Sequence, residues 1–437
     1  TWPTGINQGV DNTLRIDQPS ADSTFTNQVN ENFTAHLDGT LLSNGNVVIA
    51  SPFGIFLGAT AVLDVGSLLA IGGSITTADY SNRPDLELTG DVENYGTITA
   101  DRNVLFYGRD VENHGTISAG TGEILMLGAE SVHFRDADVD SIVSRLLNPM
   151  DYVAVTGSGT SVNHGLLQSK DATLIGSRVA NYGQIEIADG SLMMLGADAV
   201  YVRQFDNPIL VRLPHQAAGP GSSEDRPEYA VENHGQIRAG LGHVRLAASD
   251  PLGWGIRQGT GNIEGPASIE AQEIIIASGD NGRVSLSGEL DASGRGADEV
   301  GGQIDITGDI ITLDNAHIDA SGRAGGGTIQ IGGEQQGRGD LQRASALVMN
   351  ETSEVRADAL KNGDGGRVIL FSEELTLIGG ALSARGGEEG GNGGFIETSG
   401  LRNFNITMTP DASAPAGQAG EWLIDPYPIN IVAAGQG

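Results

Sequence analysis

Five copies of Asn-x-Gly-x-Ile/Leu dominate the residues able to do chemistry: Asn94–Ile98, Asn113–Ile117, Asn163–Leu167, Asn181–Ile185 and Asn233–Ile237. A carboxamide both donates and accepts a hydrogen bond. Stacked one above another, Asn94, Asn113, Asn163, Asn181 and Asn233 would form an amide ladder that satisfies its own polar groups away from water. The next residue in each copy is Tyr95, His114, His164, Tyr182 or His234. Three histidines at one motif position are metal-ligand types. They lie far apart in the chain and share their slot with tyrosine, so the position reads as an amphipathic surface residue and no metal site is expected.

Other constellations carry less. Asp136, Asp138 and Asp140 lack the glycine and glutamate that complete a calcium loop, and read as a solvated turn. The glycine run Gly386–Gly394 is followed by no Gly-Lys-Ser/Thr, so it reads as turns and not as a phosphate cradle. With Asp+Glu at 56, carboxylate pairs will arise on any surface, and none is marked by its spacing. No catalytic residue, cofactor or enzyme activity is therefore assigned.

The elements that must hold these residues follow from the repeats. Successive motif asparagines are 19, 50, 18 and 52 residues apart. The short steps suit one solenoid rung, and the long ones suit one rung plus an insertion or two to three rungs. A second repeat, Gly-Gly-x-Ile/Val, begins at Gly301, Gly326, Gly365 and Gly393, and Asp-Ala-Ser-Gly-Arg begins at Asp291 and Asp319. Between them lie short alternating runs such as Ile304-Asp305-Ile306, which are too short for helices and right for strands. The pattern predicts an all-β chain: a right-handed parallel β-helix (β-solenoid) with an N-terminal cap and extra-helical insertions. Glycine and asparagine at the corners would supply the left-handed backbone of sharp turns. Residues 1–80 are expected to form the cap and first rungs, and 81–437 the shaft. Insertions are expected at about 132–153, with a short helix near 141–147, and at 201–230, as a hairpin with a polar tip.

Composition excludes whole classes. There is no cysteine, so no disulfide framework, thiol nucleophile or thiolate-bound metal exists. A net charge of −32 argues against nucleic acid as a partner, which needs a positive footprint. The chain has 437 residues, ordinarily two or three domains, but a solenoid escapes that estimate because each rung packs only on its neighbours.

One block resembles a known family. Gly39-x-Leu41-x-Ser43-Asn44-Gly45-x-Val47 is followed by Ser51-Pro52-Phe53-Gly54-Ile55-x-x-Gly58 and Val65-Gly66-Ser67-Leu68, with Trp2 and Gln18-Pro19 ahead of them. Together with Gly393–Gly400 and Glu421–Pro426, this is similar to the two-partner-secretion domain of filamentous-haemagglutinin-like exoproteins, in its high-molecular-weight adhesin and haemopexin-utilisation branch. The family's Asn-Pro-Asn-Gly-Ile hallmark stands here as Ser51-Pro52-Phe53-Gly54-Ile55. The resemblance implies a secretion-and-folding domain of a large cell-surface adhesin of a diderm bacterium, exported through the periplasm. Its partner would be an outer-membrane TpsB-type barrel with POTRA domains, recognising Ser51, Pro52, Phe53, Gly54 and Ile55 with Asn44 and Gly45. Three alternatives stay open: a self-associating surface fibre subunit, a binder of a host surface glycan or protein through Tyr201–Ala230, and a carbohydrate-active β-helix enzyme.

Overall fold

The computed structural model describes residues 7–29, 33–74, 85–134, 153–156, 158–197, 199–204, 209–212, 229–248, 255–258 and 267–425. They fold as a parallel β-helix with extra-helical strands. The chain divides into two compact units, Thr1–Ser249 and Asp250–Gly437.

In the first unit each rung has three short strands, and like strands stack in parallel with their neighbours. One ladder carries the motif asparagines: Val92–Asn94, Asp110–Asn113, Thr160–Asn163, Arg178–Asn181 and Tyr229–Asn233. The second carries the motif Ile/Leu. Ile98, Ile117, Leu167, Ile185 and Ile237 are aligned in register and fully buried. Each such side chain contributes about 1.5–3 kcal/mol of hydrophobic burial. Both long motif steps are one rung plus an insertion, since Asn113 aligns with Asn163 and Asn181 with Asn233.

The third ladder runs through Asn46–Ala50, Ser67–Ile71, Val104–Gly108 and Ser191–Gly196. Its strands are apolar on both faces, as a ladder covered on both sides must be. The cover is a six-stranded antiparallel sheet in the order Gly73–Ser74, Asp85–Leu88, Ser131–Phe134, Val153–Thr156, Ala199–Gln204, Ile209–Arg212. Leu86, Leu88 and Val132 of this sheet share one buried cluster with Leu69, Leu105, Leu127 and Leu195 of the ladder. The insertions thus build a single layer. The second one does form a hairpin, Ala199–Gln204 against Ile209–Arg212. The helix expected near 141–147, the acidic run Asp136–Asp140, Trp2 and the polar tip 219–227 lie outside the described residues.

Within residues 1–80, Leu14–Ala70 supplies rung strands, and Leu41, Val48, Leu63 and Leu69 are completely buried. One expectation needs revision. The motif glycines are not needed for left-handed backbone, because none of them has a positive φ. They are needed for proximity. A Cβ on Gly115, Gly165, Gly183 or Gly235 would lie 1.9–2.0 Å from the carbonyl oxygen of the glycine one rung before. No side chain fits that gap.

The second unit repeats the three-sided plan. Gln303–Thr307, Thr328–Ile331, Arg367–Ser372 and Phe395–Gly400 form one ladder. Glu289–Asp291, His317–Asp319, Glu354–Arg356 and Ala381–Ser383 align in a second. Arg283–Leu286, Ile310–Leu313, Ala346–Met349, Leu375–Ile378 and Asn403–Ile406 align in the third. The Asp-Ala-Ser-Gly-Arg repeats close corners, where Asp291 and Asp319 each accept the backbone N–H two residues on.

Candidate functional site

The block that carries the family resemblance occupies two corners of one rung. Asn44 and Gly45 turn the chain from Thr40–Ser43 into Asn46–Ala50, and Ser51 to Gly54 turn it on into Ile55–Leu57. The intervening strand has five residues, so the corners stand about 16 Å apart. The structure therefore does not bring Asn44 and Gly45 together with Phe53.

The first corner is structural. Asn44 Oδ1 accepts the Gln18 N–H at 2.7 Å, and its Nδ2 donates to the Gln18 carbonyl at 2.9 Å. Gln18 Nε2 in turn donates to Ser43 Oγ at 2.8 Å and the Asn46 carbonyl at 3.0 Å. A Cβ on Gly45 would meet the Ser23 carbonyl at 2.7 Å. Arg102, which the sequence did not single out, secures this region by donating to the Ala21 carbonyl and to Asn46 Oδ1, both at 2.7 Å.

The second corner displays a side chain. Ser51 is buried, and its hydroxyl donates to the Phe33 carbonyl at 3.2 Å. Thr34 Oγ1 donates to the Phe53 carbonyl at 3.0 Å, and Thr89 Oγ1 to the Pro52 carbonyl at 2.7 Å. Gly54 has φ +98°, and a Cβ there would stand 2.7 Å from the Asp91 carbonyl. That is the one glycine of the block for which a left-handed turn and a close approach coincide. Ile55 points into the core. Phe53 alone projects outward, 51% exposed, on a backbone whose Pro52 and Phe53 carbonyls are both tied down.

The five motif asparagines form the expected ladder. Each Nδ2 donates to the Oδ1 of the next rung's asparagine, at 2.8 Å in all four links from Asn94 to Asn233. All five are fully buried.

Beside them runs a column of rings whose extent the sequence did not reveal. His36, Phe56, Tyr95, His114, His164, Tyr182 and His234 follow one another with centroids 4.4–5.3 Å apart. From Tyr95 onward the rings are stacked within 11° of parallel. His36 and Phe56 lie outside any Asn-x-Gly motif, so only the strand register could have placed them. Acids line the column. Glu112 Oε2 meets His114 Nε2 at 2.9 Å, and Glu232 Oε2 meets His234 Nε2 at 2.8 Å. Burial works to raise the Glu232 pKa, but hydrogen bonds from His234 and Arg178 outweigh it and hold the carboxyl below its usual range. Burial, then the charges of Glu93 and Glu112, push the Tyr95 phenol up.

The glycine pairs of the second unit floor a shallow groove. Gly326-Gly327, Gly365-Gly366 and Gly393-Gly394 line it, and the Arg367 guanidinium sits 4.7 Å from the Phe395 ring centroid at its wall.

No protein-family model and no curated protein sequence matches the chain. Among solved structures it is similar to the crystal structure of the HMW1 secretion domain from Haemophilus influenzae, at 23% identity and a TM-score of 0.52. The match covers 94% of this chain and 89% of that one. The likeness spans both units, and the chain shares the fold of that secretion domain, a β-helix.

Proposed function

We propose that this chain is the two-partner-secretion domain of a large exported or cell-surface protein. In this role an outer-membrane barrel with POTRA domains recognises the chain before it folds, and the β-helix forms outside the cell. The observation that supports it most is the fold likeness to a secretion domain over nearly the whole chain. The fold fits the task physically. Rungs close on their neighbours one after another, so folding proceeds along the chain as it emerges. Absence of cysteine removes premature disulfide pairing in an oxidising compartment. Nothing in the role needs turnover, and no catalytic residue is assigned.

Within the hallmark block, Phe53 is the recognition residue we favour. It is an aromatic side chain exposed at a corner that other residues hold by hydrogen bonds. Ser51 and Gly54 serve the corner, and Asn44 and Gly45 serve another corner, so their substitution would disturb folding first.

The test is export. The chain is expressed behind a signal peptide, with and without the barrel gene beside its own, and folded, protease-resistant protein is measured in the medium. Barrel-dependent release is the expected result. Phe53→Ala should cut that release severalfold while leaving the melting temperature of purified protein unchanged. Equal release without the barrel would refute the proposal, and unchanged release of the Phe53 variant would remove that residue from it.

A further inference from the structure

The stacked column contains one position that differs from the rest. In the asparagine ladder, the residue two before each ring is Glu93, Glu112, Val162, Ala180 or Glu232, and these five align across the rungs. His114 and His234 each meet the acid of their own strand. Tyr182 accepts from Arg178 Nη2 at 2.8 Å. His164 has Val162 in the acid's place, and among the described residues its ring is engaged only by stacking on His114 and Tyr182. It is also exposed.

A carboxylate within reach of His164 comes instead from the rung before. Glu112, His114 and His164 present one ligand atom each, all within 4.8 Å of one another. The 50 residues between the two histidines argue against a shared site only while their rungs are unknown. The register makes those rungs adjacent, because the intervening chain is an excursion.

We propose that Glu112, His114 and His164 bind a borderline divalent transition-metal ion such as Zn²⁺. Two imidazoles and a carboxylate are a donor set suited to such an ion, with water completing the shell. The positive charge of Arg178, on the following rung, is engaged by Glu232 at 2.9 Å. The present ring arrangement must change on binding. Rings stacked 4.6 Å apart and 8° from parallel aim their nitrogen lone pairs side by side, whereas an ion about 2.0–2.1 Å from both nitrogens needs them to converge. His164 is the ring free to turn, since His114 is held by Glu112 and His164 has no such tether.

Such an ion would join Asp110–Asn113 to Thr160–Asn163, the two rungs between which the chain makes its excursion to the antiparallel sheet.

The test uses the full chain and ZnCl₂ followed by calorimetry, with Co²⁺ absorption as a second readout of imidazole ligation. One ion per chain is expected. Glu112→Gln and His164→Tyr should each weaken binding at least tenfold. The tyrosine variant keeps the ring column, because Tyr95 and Tyr182 already hold that slot, so its apo melting temperature should stay unchanged. Substituting His317, in the second unit, should leave binding as it was. Absence of Zn²⁺ binding by the unaltered chain, or binding that survives both Glu112→Gln and His164→Tyr, would overturn the proposal.

Discussion

Replacing Asn163 by alanine tests the amide ladder where it is most interlocked. Asn163 accepts from Asn113 and donates to Asn181, both at 2.8 Å, and donates to the Gly165 carbonyl at 3.1 Å. Alanine removes two ladder links, each contributing about 0.5–1.5 kcal/mol net. It also leaves the buried Asn181 Oδ1 without its donor, which adds about 1–3 kcal/mol. The expected loss is about 2–6 kcal/mol, confined to neighbouring rungs because stability in a solenoid is local. Asn94 stands at the start of the column, where its register partner on the preceding rung is Leu57 and its Oδ1 accepts the Gly96 N–H at 3.1 Å instead, so Asn94→Ala breaks one ladder link, one further hydrogen bond and orphans Asn113 Oδ1, and should lose a comparable amount. Asn163→Asp separates shape from donation. The buried carboxylate still accepts from Asn113 but opposes Asn181 Oδ1 with a second acceptor. Burial raises its pKa above the unfolded value, so the destabilisation is present at high pH and relieved as pH falls and the acid gains a proton to donate. Urea unfolding followed by circular dichroism gives the magnitude, and hydrogen exchange at the flanking strands gives the location. A loss below about 1 kcal/mol for Asn163→Ala would refute the ladder as a stabilising network.

Two further outcomes follow from buried polar groups. Burial, opposed by a hydrogen bond from Thr173 and reinforced by Asp171, pushes Glu123 up to about 7. Since that exceeds the unfolded value, the ionised side chain destabilises the fold above pH 7 and the penalty disappears as pH falls toward 4.5; Glu123→Gln should stabilise by about 1–3 kcal/mol at pH 8 and by nothing near pH 4, as read from melting curves at the two pH values. Tyr107 is fully buried with no partner for its hydroxyl among the described residues, so Tyr107→Phe should raise stability by about 1 kcal/mol, and a measured loss would mean the hydroxyl is satisfied.

Much of the first unit was legible because its motif repeats what each rung needs. The asparagine satisfies itself, the glycine leaves room for the rung before, and the Ile/Leu fills the centre. The rest depended on which rungs are neighbours. The separation of His114 from His164 read as distance, although the register stacks their rings at 4.6 Å. His36 and Phe56 carry no motif, so nothing local placed them at the foot of the same column. The antiparallel sheet pairs Asp85–Leu88 with Ser131–Phe134, and Val153–Thr156 with Ala199–Gln204. No turn signal marks pairings that join separate excursions. The hallmark block was legible as a resemblance, but its division into a displayed Phe53 and a buried Ser51 needed the burial of each side chain.

That antiparallel sheet also bears on how a chain of near-equivalent rungs counts them. Asn163 could dock on the rung of Asn94 and find nearly the same amide, glycine and apolar contacts that it finds on Asn113. Contacts between rungs therefore discriminate weakly against skipping one. The sheet supplies the index, because its strands come from three different excursions and pair in the order in which those excursions leave the shaft. A skipped rung would part Ser131–Phe134 from Asp85–Leu88, its partner from the earlier excursion, and uncover Leu69 and Leu105. Without the excursions, each rung would keep its own contacts, but the population would split into misnumbered stacks with similar spectra and different lengths.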